Sequence, residues 1–441
     1  MSVALRLDDL PLSRFHWKVS IVTGVGTALR AMNVGIVTFV LASLAQDWKL
    51  SPKEVGTLGS VSVAGMAFGV ALIGSWGDKY GRRTMFNVVL LVFSVGSALC
   101  GLAWNYLSLL LFRLFTAVTL GGGSPINITI VSEFSPSRYR GRMLLALETF
   151  WVIGYFLAAL VAYLVIPTWG WRAAFFVSAL SLLYLPISLK MLPESPRFLV
   201  SKGRRDEAER VIRQAEIESG LSATEVVPGE SSQVRHYPRA RLAELFTGYR
   251  RRTLCLWILW FTISYVYYGL FVWLPSLLVD AGFTLASSFE YALVITFAQI
   301  PGTILAGVLV DKVGRKRTIV PFLFLCALAS YFLGFARSTE AVLFWGSAMA
   351  FFNLGAWGVM TAYTAELYPT RLRSTGVGWA GSFGRTGGVL APVVTGFVLG
   401  TWGGSYELVF VVFALVSFVA GMNVALLGEE TVGRSLEELN K

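Results

Sequence analysis

Apolar runs of roughly 20 residues, set off by short charged or turn-rich breaks, recur along the whole chain. That length suits a helix crossing a bilayer, where every backbone polar group must find its partner within the helix. The pattern predicts spans at 19–43, 54–76, 84–104, 107–132, 143–166, 171–191, 253–278, 287–310, 318–337, 340–365, 375–399 and 405–428. The expected fold class is therefore an all-α membrane protein with twelve transmembrane helices. Ahead of the first span, LDDLPLSRFHWK holds acids and a Pro but no small-residue cleavage site, so it does not read as a cleaved signal peptide.

Composition agrees with this pattern. Of 441 residues, 55% are hydrophobic and 14% charged, against roughly 25% charged in an ordinary soluble domain. The net charge of +11 would by itself raise nucleic-acid binding. Its placement removes that reading. Of 37 Lys and Arg, 30 fall in segments on the side of the N-terminus and 4 (Lys49, Lys53, Arg172 and Arg337) on the other. The positive-inside rule then puts both termini and the 190–252 segment in the cytoplasm of a cell inner (plasma) membrane. Arg30, Arg113 and Arg385 remain, each inside a span. Cys100, Cys255 and Cys326 are isolated, which supports neither a disulfide framework nor a metal site.

The chain also repeats itself. GSWGDKYGRR (74–83) follows the second span and GVLVDKVGRK (307–316) the eighth, an offset of 233 residues. At that offset SEFSPSRYR aligns with AELYPTRLR, pairing Glu133 with Glu366 and Arg140 with Arg373. Two six-helix bundles are expected, 1–191 and 253–441, joined by a cytoplasmic linker at 192–252. Within the linker, KGRRDEAERVIRQAEIE has the good helix formers and mixed charge of a short helix.

The doubled GxxxDxxGRR signature, with twelve spans and a central loop, resembles the major facilitator superfamily. The likeness covers the whole chain and implies its fold of two pseudo-symmetric six-helix bundles. It makes Asp78, Arg82, Arg83, Glu133, Arg140, Asp311, Arg315, Glu366 and Arg373 gating candidates, forming charge relays at the cytoplasmic helix ends. PESPRFL (193–199) is similar to the sugar-porter branch. SYVYYGLFVWLPSLL (264–278), SSFEYALVITFAQIPG (287–302), FFNLGAWGVMTAYTAELYPTRLRSTG (351–376) and SFGRTGG (382–388) resemble the bacterial niacin (nicotinate) transporters, relatives of the synaptic-vesicle transporter-like proteins. That resemblance implies an aromatic monocarboxylate cargo. The chain departs from the family pattern at three acids: Arg30 and Asn33 stand where FDAMDVG has Asp, and GGSP with Gly123 stands where GGELP has Glu. Proton symport is therefore not carried over from the family, and uniport or exchange stays open beside it.

Read without the family, the three deep arginines are the chemistry of the chain. An Arg at such depth costs at least ~2.5–3.5 kcal/mol unless it faces a cavity or a partner. Glu148 sits near the start of span five and Glu290 at the outer start of span eight, so no deep carboxylate is expected to neutralise the arginines. A cavity with excess positive charge suits an anion, and the guanidinium fork fits a carboxylate. Arg30, Asn33 and Arg385 are the polar binding candidates, with Trp151, Tyr267, Tyr268, Asn353 and Trp357 to hold a flat ring. Arg113 divides between cargo contact and a structural role. Gly65 and Gly69 are read as helix-packing residues. Trp17, Trp48, Trp104, Trp171 and Trp402 are read as interfacial belt residues.

No nucleotide-binding, zinc-protease or nucleophile-elbow motif occurs, and His16 and His236 lie outside the spans, so neither an enzyme nor a metal or cofactor site is expected. The sequence points to a monomeric secondary carrier, its bundles rocking about a central site. Its partners would be a small aromatic acid, protons where coupling survives, and the lipid bilayer, with no nucleic acid. A sugar carrier and a non-transporting ligand sensor on the same fold remain as alternatives.

Overall fold

The computed structural model describes residues 6–7, 10–136, 139–220, 242–280, 282–401 and 405–431; within these, the side chains at 71, 74, 75, 145, 242, 280, 286, 311, 370, 371, 373 and 374 are not described. Each expected span coincides with helix. Span one is Arg14–Asp47, two Pro52–Tyr80, three Arg82–Gly101 and four Tyr106–Phe134. Spans five and six form one helical run, Arg140–Ala179, continued by Leu180–Tyr184 and Leu185–Met191. Gly170, at φ 76 and ψ 168, breaks that run between the two spans. Spans seven to twelve are Arg250–Asp280, Leu285–Phe297 with Gln299–Lys312, Arg315–Gly334, Thr339–Leu367, Thr370–Thr401 and Tyr406–Leu427.

Among the described residues ten stretches are long and apolar enough to cross a membrane, the 52-residue run holding spans five and six counting once. Span two, with residues 71, 74 and 75 not described, adds a helix of 29 residues. The break in span eight has a local cause. Pro301 has no N–H for the Phe297 carbonyl, and its ring crowds that carbonyl. The helix accordingly restarts at Gln299.

Two compact units are distinguished by their internal packing: Met1–Ile36 with Gly65–Val161 and Trp169–Arg235, and Val37–Ala64 with Ala162–Thr168 and His236–Lys441. In the first, span two packs on span four where the sequence expected small residues. A Cβ on Gly65 would lie 2.7 Å from that of Ala117, and one on Gly69 would strike the Val118 carbonyl. In the second, Ser60 Oγ donates to the Val389 carbonyl (2.7 Å) and Trp273 Nε1 to that of Pro392 (3.1 Å).

The expected linker helix is Arg205–Glu218. Arg6 clamps it, donating to Glu209 (2.7 Å) and Glu216 (2.8 Å), while Leu7, Leu10, Phe15, Ile212 and Ala215 close one apolar cluster beneath. Burial works against the Arg6 charge, but the hydrogen bonds it donates to both carboxylates outweigh it and raise its pKa.

Two expectations are corrected. His16, expected outside the spans, lies in the first turn of the span-one helix and is 1% exposed, its Nδ1 accepting from Ser13 Oγ (2.8 Å). Trp171 is buried beneath the Arg172 guanidinium at 4.2 Å, whereas Trp17 and Trp104 are exposed as expected. His236 and Trp402 lie outside the described residues. The three cysteines are free and buried.

Candidate functional site

The second unit gathers four of the predicted residues. Tyr267 of span seven meets Trp357 of span ten at 5.4 Å between ring centroids and Tyr268 at 5.2 Å. Trp260, which the sequence reading passed over among many aromatics, lies two turns before Tyr267 on the same helix face and meets Trp357 at 5.9 Å. It is held there by its indole N–H, which donates to Thr364 Oγ1 (2.9 Å). Arg385 is half-buried, with Gly381 between it and the Trp260 ring and Tyr268 in electrostatic reach. Its Nη1 donates to the Gly381 carbonyl of its own helix (3.3 Å). Among the described residues no carboxylate pairs with it, so most of its five donors remain available to a ligand.

Asn353 is placed differently from the expectation. It is 2% exposed and turned toward Cys326 of span nine, with Oδ1 lacking a hydrogen-bond partner among the described residues. Gln299 was missed. It is fully buried at the restart of span eight, and neither amide atom has a partner among the described residues. The signal was available: one Gln directly before Ile-Pro in an otherwise apolar span.

The first unit gathers the others. Arg30 is 4% exposed, donates to the Leu120 carbonyl (3.1 Å), and lies 4.9 Å over the Trp151 ring. A Cβ on Gly123 would stand 2.8 Å from Arg30 Cδ, so the bare glycine leaves room for the arginine. A small cavity opens beside them, lined by Gly26, Arg30, Phe86, Gly123 and Asn127 among others.

Asn33 does not share this cavity. Its Oδ1 accepts from Arg113 Nη1 (3.0 Å) and its Nδ2 donates to Ser178 Oγ (3.0 Å), so it bridges spans one, four and six, and Arg113 is turned to that bridge. The expectation that no carboxylate reaches the deep arginines is corrected for Arg30. Glu148 is exposed on the face of span five that carries Trp151 and is in electrostatic reach of Arg30.

At the helix ends that carry the repeated motif, the repeat is chemical as well as sequential. Arg82 pairs with Asp78 (2.8 Å) and Glu133 (3.3 Å), and Arg315 with Glu366 (2.7 Å). A further acid completes each set, and both were missed as site residues. Glu194 of PESPRFL accepts from the backbone N–H of Arg82 (2.8 Å) and Arg83 (3.1 Å). Glu430 does the same for Arg315 (2.8 Å) and Arg317 (3.1 Å). Each carboxylate thus caps the N-terminus of span three or nine, where orphan donors and the helix dipole favour an anion.

The capped helices begin after Gly81 (φ 101) and Gly314 (φ 110). These values suit glycine, and a Cβ at 314 would lie 2.6 Å from the Glu430 carboxyl carbon. Ser195 donates to Glu133, and Thr431 to Glu366 (2.6 Å), closing both sets. Every one of these pairs lies inside a single unit. Arg83 turns to the Leu189 carbonyl and Arg140 to that of Ser135 (3.4 Å). The side chains of Asp311 and Arg373 lie outside the described residues.

Comparison with known proteins agrees with this arrangement. The niacin transporter NiaP of Acinetobacter baylyi is 40% identical over 440 residues, covering 100% of both chains. The putative niacin/nicotinamide transporter NiaP of Bacillus subtilis is 38% identical over 417 residues, covering 94% of this chain and 96% of its own. The benzoate transport protein of A. baylyi is 29% identical over 405 residues, 90% and 87% of the two. Among solved structures, the xylose transporter XylE of E. coli in a partially occluded inward-open form superposes with a TM-score of 0.76 at 17% identity, over 96% of this chain and 100% of that one. Residues 22–441 match the family Sugar (and other) transporter. The chain belongs to that family and is a multi-pass membrane transporter rather than an enzyme, with the fold of the major facilitator superfamily.

Proposed function

We propose that the protein carries nicotinate, or a closely related aromatic monocarboxylate, across a cell inner membrane by alternating access, with both termini in the cytoplasm. The observation that carries this reading is Arg385. It is a half-buried guanidinium with no carboxylate partner among the described residues, set beside Trp260 and Tyr268. A guanidinium in such a place takes a carboxylate in a two-pronged hydrogen bond. Tyr267, Trp260 and Trp357 pack on one another at 5.4–5.9 Å and form an aromatic wall against which a flat ring can lie. The niacin and benzoate relatives support the same cargo class. Arg82, Arg315 and their acids hold the cytoplasmic helix ends in each unit and serve gating.

Nicotinate counterflow in proteoliposomes tests the assignment. Exchange by the parent and its loss in Arg385→Ala is the expected result; full exchange in Arg385→Ala removes that residue from the cargo site. A second reading rests on Gln299, whose buried amide has donor and acceptor unused and suits a neutral polyol. Competition of nicotinate uptake by xylose would carry that reading instead.

A further inference from the structure

We propose that Glu148 binds and releases a coupling proton, with Arg30 as its fixed counter-charge, so that the protein is a proton symporter although the family's usual membrane acids are absent. The inference rests on the carboxylate-carrier reading only for the charge carried with the proton.

The structure separates Glu148 from Glu133 and Glu366, the acids at the repeated helix ends. Glu133 and Glu366 are locked in ion pairs and accept from Ser195 and Thr431. Glu148 has no hydrogen bond and no ion pair within 4.0 Å among the described residues, and although its carboxyl is closely surrounded by the protein the residue keeps exposed surface. A carboxylate that must exchange protons with water needs this freedom; one held in a short pair does not give it. Its position on the helix matters as well. Glu148 precedes Trp151 by three residues and shares its face, and Trp151 carries the Arg30 guanidinium 4.9 Å above its ring.

Among the described residues, Arg30 is the charged group in electrostatic reach of Glu148. Span one packs on this stretch through Gly24 against Phe150 and through the Ala28 carbonyl against Gly154, and contributes Arg30. Span four reaches the same arginine through Leu120 and Gly123 and has no titratable residue between 114 and 132. On the helix of Glu148 itself, Arg140, Arg142 and Tyr155 stand about two turns away. Arg30 is buried, so its charge is permanent and weakly screened, and the charge of the site changes with the proton on Glu148.

The step balances simply. Water on one side gives a proton to the Glu148 carboxylate, forming the neutral acid, and water on the other side receives it. With one monocarboxylate cargo per proton the net charge moved is zero. A gradient of one pH unit then drives about tenfold accumulation.

Two measurements test this. In proteoliposomes the parent is expected to accumulate nicotinate when the inside is more alkaline, without dependence on membrane potential. Glu148→Gln should lose accumulation yet keep nicotinate counterflow, and Glu148→Asp should regain accumulation. Accumulation by Glu148→Gln equal to the parent, or loss of counterflow in it, overturns the proposal. Infrared difference spectra of the parent against Glu148→Gln, taken through a pH titration without cargo, should show one carboxyl band whose midpoint moves in Arg30→Gln. Absence of a titrating band overturns the inference even if nicotinate is not the cargo; a parent with the band but no nicotinate exchange overturns only the cargo reading.

Discussion

Arg30 and Gly123 form a pair that neither residue explains alone. The guanidinium fits between Leu120 and Trp151 because position 123 carries no side chain. Gly123→Leu is expected to lower stability by about 1–3 kcal/mol through overpacking. Combined with Arg30→Ala the cost should largely vanish, which a double-mutant cycle on thermal melting in detergent would read as a coupling between the two positions. At Arg385 the expected effect falls on transport instead. Removing a charged hydrogen-bond partner costs about 1.5–3 kcal/mol, so Arg385→Ala should raise the KM for nicotinate by roughly 10- to 150-fold. Arg385→Lys keeps the charge but loses the fork and should fall between the two. The arginines were legible in the sequence because charge inside an apolar span stands out. Gln299 and Trp260 were not, since one uncharged amide and one more aromatic do not break such a pattern; their meaning lies in unmet hydrogen bonds and ring contacts.

At the scale of elements, the caps of spans three and nine are the clearest construction. Gly81→Ala and Gly314→Ala each force a Cβ into a left-handed backbone at about 1–2 kcal/mol and also displace the capping carboxylate. Both should melt at lower temperature than the parent, and by similar amounts. Glu194→Gln and Glu430→Gln should likewise match each other, with a cost of about 1.5–3 kcal/mol where a charged acceptor is lost; hydrogen exchange at the first turns of spans three and nine checks the site of the effect. The sequence repeat at offset 233 revealed Arg82 with Arg315 and Glu133 with Glu366, but Glu194 and Glu430 are 236 apart. Loops accept insertions that helices do not, so the further acid of each set drifted out of register. Its recognition needed the backbone N–H groups it caps. The break in span eight was equally invisible to hydropathy, although Pro301 marks it.

For the whole molecule, the spans were readable from hydropathy because a bilayer permits few backbone solutions. The grouping of residues 37–64 and 162–168 with the second unit was not readable, since repeat symmetry says nothing about which side chains pack. The central claim is that this family fold, with its free arginine among aromatics, moves an aromatic carboxylate. Uptake of radiolabelled nicotinate by proteoliposomes holding the purified protein tests it most directly. The account predicts saturable uptake, competed by benzoate and not by xylose, and abolished or strongly weakened in Arg385→Ala. No nicotinate uptake beyond empty vesicles, or uptake that xylose competes and benzoate does not, would contradict it.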